Sequence, residues 1–110
     1  MENNTIVFSK RLAPTDTNAR LAIPITALEH IEGDNILRCR DSAGTEWQFK
    51  FYTRPNGQPK PAFTTGWLDF VRAKELRIGD VVTLSKQEDE YKIHAKRAIN
   101  LMGQEIMVDL

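Results

Sequence analysis

The chain has 110 residues, the length of one domain, and its 15 Lys+Arg balance 15 Asp+Glu to a formal net charge of zero. With 41% hydrophobic and 27% charged residues it has an ordinary globular composition, so disorder is not the default reading, and no apolar run reaches the roughly 18 residues of a transmembrane helix. A single cysteine, Cys39, excludes an internal disulfide and favours a reducing compartment; with only His30 and His94 beside it, no zinc ligand set exists. The start, Met1-Glu2-Asn3-Asn4, lacks the basic and apolar regions of a secretory signal.

Thr5–Phe8 is β-branched and aromatic and reads as a strand. Leu12–Arg20, with Pro14, Thr15, Asp16, Thr17 and Asn18, reads as a loop, and Arg20–Pro24 as a short strand that ends at the proline. Thr26 is placed to cap a short helix over Ala27–Ile31, with Glu29 as its capping-box partner. Gly33-Asp34-Asn35 then turns the chain. Ile36–Asp41 alternates, with Leu37 and Cys39 on one face, and Asp41–Gly44 predicts a hairpin turn. Glu46–Phe51 has a strict period of two that sends Trp47, Phe49 and Phe51 to the core.

Thr53–Pro61 holds three prolines and Gly57 and reads as a loop. Gly66–Glu75 fits a helix, with Trp67, Phe70, Val71 and Lys74 at helical spacing. After the turn Arg77–Asp80 come a strand at Val81–Leu84, a polar hairpin loop at Gln87–Glu90 and a strand at Tyr91–Ala95. Residues 98–110 read either as a packed tail or as an extra strand over Glu105–Val108. Six or seven short strands joined by hairpin-length connections, with two short helices, predict a mainly antiparallel barrel or sandwich.

The charge is unevenly placed. Trp47–Phe63 carries only Lys50, Arg54 and Lys60, and Phe8–Leu28 carries Lys10, Arg11 and Arg20 against Asp16 alone. The acids gather at Glu29, Glu32 and Asp34 and at Glu88, Asp89 and Glu90. A neutral chain can therefore present a basic face if its acids lie elsewhere; scattered charge that merely solvates a surface is the simpler alternative.

Two stretches carry a resemblance. Phe8-Ser9-Lys10-Arg11-Leu12-Ala13-Pro14-Thr15-Asp16, followed by Arg20-Leu21-Ala22-Ile23-Pro24, resembles the F-x-K-x-L-T-P-S-D … R-L-x-I-P pattern of the plant B3 DNA-binding domain. Thr65-Gly66-Trp67-Leu68-Asp69-Phe70-Val71, then Leu76-Arg77-Ile78-Gly79-Asp80-Val81-Val82, resembles that family's T-x-G-W-x-x-F-V … L-x-x-G-D-x-V pattern. Asp41, Gly44 and Trp47–Lys50 between them are similar to its D-x-x-G-x-x-W-x-F-R segment. The order is kept from about Thr5 to Arg97 of a single domain spanning 1–110.

The resemblance implies a mainly β, seven-stranded open pseudobarrel with two short helices. It implies double-stranded DNA held in the major groove by an N-arm after the first strand and a C-arm leading into the Gly-Trp helix. It also implies a role in transcription regulation and a nuclear location. The same pseudobarrel occurs in DNA-recognition domains of bacterial restriction enzymes, which would place the protein in the cytoplasm. A protein- or peptide-binding barrel that has lost specific DNA affinity is the reading from another class.

The N-arm residues Lys10, Arg11, Thr15, Asp16, Asn18 and Arg20 are of the types that read base edges: Arg and Lys on guanine, Asn on adenine, Asp on cytosine. Taken alone, they suit a polar turn that caps itself better than a base-reading loop. The resemblance implies DNA contact for Lys10, Arg11 and Arg20, and leaves Asp16 as either a base acceptor or the orienter of a basic neighbour. It places Trp67 at the C-arm tip touching DNA, with Leu68 and Asp69 after it, Thr64 and Thr65 as phosphate donors, Gly66 for close backbone approach, Lys50 as a phosphate contact, and Arg54 and Lys60 as flanking charge. Two features depart from the pattern. The N-arm is short, with Asn18 at the family's glycine, and Leu68-Asp69 replaces the usual Ser and basic residue, so the family's DNA sequence preference does not carry over and weak or relaxed binding is compatible with the pattern. No nucleophile–base pair, carboxylate pair, phosphate loop or metal motif is visible; no enzyme activity, cofactor or small-molecule substrate is expected, and no membrane partner.

Overall fold

The computed structural model describes residues 4–31, 35–52 and 60–110. The elements run β1 (Asn4–Arg11), α1 (Pro14–Asn18), β2 (Leu21–Ala22), a 3-10 turn (Ile25–His30), β3 (Ile36–Arg40), β4 (Glu46–Tyr52), β5 (Ala62–Phe63), α2 (Trp67–Lys74), β6 (Val81–Gln87), β7 (Glu90–Leu101) and β8 (Gln104–Asp109). One curled sheet has the order β1-β6-β7-β3-β4-β5-β2, with β8 paired to β7. Every junction is antiparallel except β3–β7, which is parallel and holds only Cys39↔Tyr91 and Arg40↔Lys92. The terminal strands β1 and β2 do not pair with each other, so the barrel stays open.

The alternation seen in the sequence is the pleat of the sheet. Leu37 and Cys39 face inward from β3 while Ile36, Arg38 and Arg40 face out. On β4, Phe49 is fully buried, whereas Trp47 and Phe51 are half-buried at the core margin. α2 lays Trp67, Phe70 and Val71 into the sheet's concave face. There Phe49 stacks on Phe63 at 5.3 Å and meets Trp67 and Phe70 edge-on at 5.7 and 5.8 Å. Each such side chain withdrawn from water contributes about 1.5–3 kcal/mol.

Four elements differ from expectation. The N-arm loop contains a helical turn, α1, because Pro14 is pre-set for a first helical position and the Asp16 carboxylate accepts the Ala13 amide at 2.7 Å. The helix expected after Thr26 is a 3-10 turn begun by Pro24, with no side-chain cap. β5 follows immediately on the proline-rich loop, of which 53–59 lie outside the described residues. The C-terminal stretch is a full strand, making eight strands rather than seven.

Candidate nucleic-acid interface

The two arms lie side by side at the β2–β5–β4 end of the sheet. β2 pairs Leu21 with Phe63 and Ala22 with Ala62; β5 pairs Phe63 with Phe51. Beyond these pairs the ladder continues: the Thr64 amide donates to the Lys50 carbonyl and the Lys50 amide to the Thr65 carbonyl, each at 2.8 Å. Arg20, one residue before β2, thus continues the register toward Thr64, and Thr64 lies beside Lys50. The row joins the end of the N-arm to the start of the C-arm.

Arg11, Thr15, Asn18, Arg20, Lys50, Lys60 and Thr65 are exposed. Arg11 reaches the Gly79 carbonyl at 3.4 Å, and the Thr64 hydroxyl donates to the Lys50 carbonyl at 3.2 Å. Among the described residues, Arg11, Arg20, Lys50 and Lys60 make no ion pair, so four positive charges stand uncompensated around the arms. Arg54 lies outside the described residues.

Five of the expected contact residues are engaged within the domain itself. Trp67 is fully buried; its ring fills the core against Phe49 and Phe70, and its indole N–H donates to the Asp16 carbonyl at 2.6 Å. Asp16 is 2% exposed and its carboxylate is occupied by the Ala13 amide, the Lys10 ammonium at 3.0 Å and the Ala22 amide at 3.4 Å, so no oxygen is offered to cytosine. Lys10 is turned inward to that carboxylate and to the Ala22 carbonyl at 2.7 Å. Leu68 is half-buried and packs against the core. Asp69 is exposed and pairs with Arg72 at 3.5 Å, which offsets the charge that would repel a phosphate.

Gly66 has a structural reason for its identity. It adopts φ +94°, and a Cβ there would lie 2.1 Å from the Gln48 carbonyl oxygen, so any side chain would drive the C-arm off β4. Sequence reasoning missed two further buried carboxylates. Asp41 accepts the Ala43 and Thr45 amides, the Trp47 indole and the Lys74 ammonium, each at 2.9 Å, and so ties the β3–β4 turn to the end of α2. Asp80, in the Gly-Asp turn, accepts a two-pronged contact from Arg97 at 3.0 Å, and Arg97 also donates to the Glu75 carbonyl. The signal was present in the D-x-x-G and G-D-x-V patterns, but their partners are distant in sequence. Burial pushes the Cys39 thiol up to about 12, helped by Asp41 and Glu46, so it stays protonated and is no nucleophile. No cluster of His, Cys, Asp and Glu among the described residues could hold a metal, and none of their helices is long and apolar enough to cross a membrane.

An open, curled sheet carrying two adjacent polar arms defines a pseudobarrel recognition domain. The sequence signature of the B3 DNA binding domain matches residues 8–99. The chain is 31% identical over 96 residues to B3 domain-containing transcription factor VAL3 of Arabidopsis thaliana, covering 81% of this chain and 13% of that protein. It is 31% identical over 114 residues to Auxin response factor 3 of Arabidopsis thaliana, covering 92% of this chain and 18% of that one. The structure of an Arabidopsis FUS3–DNA complex superposes with a TM-score of 0.68 at 27% identity, over 82% of this chain and 95% of that one. An Arabidopsis thaliana LEC2–DNA complex shares the fold with a TM-score of 0.71 at 20% identity, over 86% and 95%. The chain belongs to the B3 DNA-binding domain family, and it spans less than a fifth of the length of these two curated relatives.

Proposed function

We propose that this domain binds duplex DNA in a sequence-specific manner, through an N-arm and a C-arm in the major groove, as the recognition part of a nuclear transcription regulator with no catalytic step of its own. The observation that carries the reading is the set of four unpaired cations, Arg11, Arg20, Lys50 and Lys60, ringed around two adjacent arms on a B3 scaffold. Lys50 and Lys60 suit phosphates, where a compact ammonium needs no directional partner. Arg11, Thr15, Asn18, Arg20, Thr64 and Thr65 carry the donors and acceptors suited to base edges or to the phosphates beside them. Net neutrality is no obstacle, because Asp16 and Asp69 are each held by a cation of their own.

Selection of bound duplexes from a randomised pool at about 100 mM salt tests the reading, since phosphate-only binding is already weakened there. A short enriched motif is expected. Arg20→Ala should cost about 1–3 kcal/mol and relax the motif; Lys50→Ala should weaken all duplexes alike. With four phosphates neutralised, log K should fall against log salt with a slope of roughly −3 to −4. No enrichment, with no binding even at low salt, would sink the proposal and leave a protein- or peptide-binding barrel as the better account.

A further inference from the structure

We propose that Asp16 and Trp67 form a strut that fixes the N-arm against the C-arm, making them positioning residues that set which DNA sequence is read; this rests on the DNA-binding reading above. α1 is a single turn of five residues, too short to hold itself in water. Its ordering comes from Asp16. The carboxylate reaches back to Lys10 on β1 and forward to the Ala22 amide on β2, so one side chain clamps both strands that flank the arm. The Asp16 carbonyl has no helical partner, because the amide four residues on, Arg20, lies past the end of α1. The Trp67 indole supplies the missing donor at 2.6 Å.

Trp67 in turn is fixed at the first position of α2 by Gly66, which sits hard against the β4 backbone at Gln48. A continuous path therefore runs from β1 and β2 through the buried Asp16 and Trp67 to β4. Thr15, Asn18 and Arg20 ride on one end of it, Thr64 and Thr65 on the other. Base readout needs groups held to within about half an ångström, and a strut of this kind supplies that where two loops alone would not.

The test separates the strut from mere stability. Trp67→Phe keeps an aromatic ring for Phe49 and Phe70 but removes the N–H; Asp16→Asn keeps the carbonyl contact and breaks the ion pair with Lys10. Ile93→Val, buried in β7, serves as a core variant outside the strut. Both arm variants should fold and lose about tenfold or more in preference for the selected site, whereas Ile93→Val keeps that preference; Trp67→Phe should also keep the salt slope and the affinity for scrambled duplex, while Asp16→Asn, which frees the Lys10 ammonium, should bind scrambled duplex no more weakly than the wild type. Hydrogen exchange at the Ala19 amide, which closes α1 on the Thr15 carbonyl, should quicken at least about tenfold in Trp67→Phe. Unchanged exchange or unchanged site preference in Trp67→Phe, or an equal loss in Ile93→Val, overturns the strut. A wild type without any site preference overturns the sequence-specific reading, and the specificity role with it, while the exchange result still reports on the mechanical link.

Discussion

Asp41 and Asp80 are carboxylates taken out of water and then surrounded by donors. Burial by itself would raise the Asp41 pKa, but the Trp47 indole, the Lys74 ammonium and the Thr45 amide outweigh it and hold the group at about 2. Asp80 is likewise lowered: burial opposes, and the Arg97 guanidinium and the Arg77 amide prevail. Both groups lie below their unfolded values, so the stability they contribute is present in full above about pH 5 and is lost on acidification, for Asp41 as pH falls through 4 toward 2. Urea midpoints measured from pH 7 to 3 should fall on the acid side, with Asp41 accounting for at most about 2 kcal/mol. Asp41→Asn should be less stable at pH 7 and show a shallower acid decline. At this scale the sequence revealed residue types and left partners hidden. Nothing local tells that the indole of Trp67 meets a carbonyl fifty-one positions earlier. Helical spacing made Trp67 as good a core residue as Phe70 and Val71, and only the resemblance had moved it to the surface.

Elements with room for a period were legible. β3 and β4 alternate over five and seven residues, and α2 shows its apolar stripe over two turns. α1 and β5 were not legible, because five and two residues are too few for any period and Pro-Thr-Asp-Thr-Asn carries turn chemistry that a one-turn helix shares. β8 stayed ambiguous because its face is largely exposed. Ile106 and Met107 retain 38% and 42% of their surface, so no strict inside–outside contrast marks it. β8 begins beyond the last family-matched residue, 99, yet it makes six pairs with β7, and the Leu110 amide after it bonds the Ala95 carbonyl while its side chain packs on the core. Removing 104–110 should therefore cost about 1–3 kcal/mol in chemical denaturation, with the DNA salt slope unchanged because no arm residue is lost.

At the scale of the molecule the sheet consists of two runs, β1-β6-β7 with β8, and β3-β4-β5-β2, meeting at the two-residue parallel contact of β3 with β7. The Tyr91 hydroxyl, donating to the His30 carbonyl at 2.7 Å, adds a tie beside it. The junction is short where the β6–β7 ladder has seven pairs, so native-state hydrogen exchange should find the amides that bridge β3 and β7 opening at lower free energy than those that bridge β6 and β7. Equal protection would mean that the packed core, rather than strand pairing, holds the two runs together.

The partner of β1 is β6, with Thr5 opposite Lys86 and Phe8 opposite Leu84. A ribosome delivers the chain from its N-terminus, so the β-branched and aromatic run Thr5–Phe8 is made early and finds its place only after most of this domain has been translated. Until then it is an apolar segment of high strand propensity with no neighbour, the kind of edge on which nascent chains associate with one another. The same pairing that closes the native sheet makes the interval before β6 emerges the period of greatest exposure in this domain's synthesis.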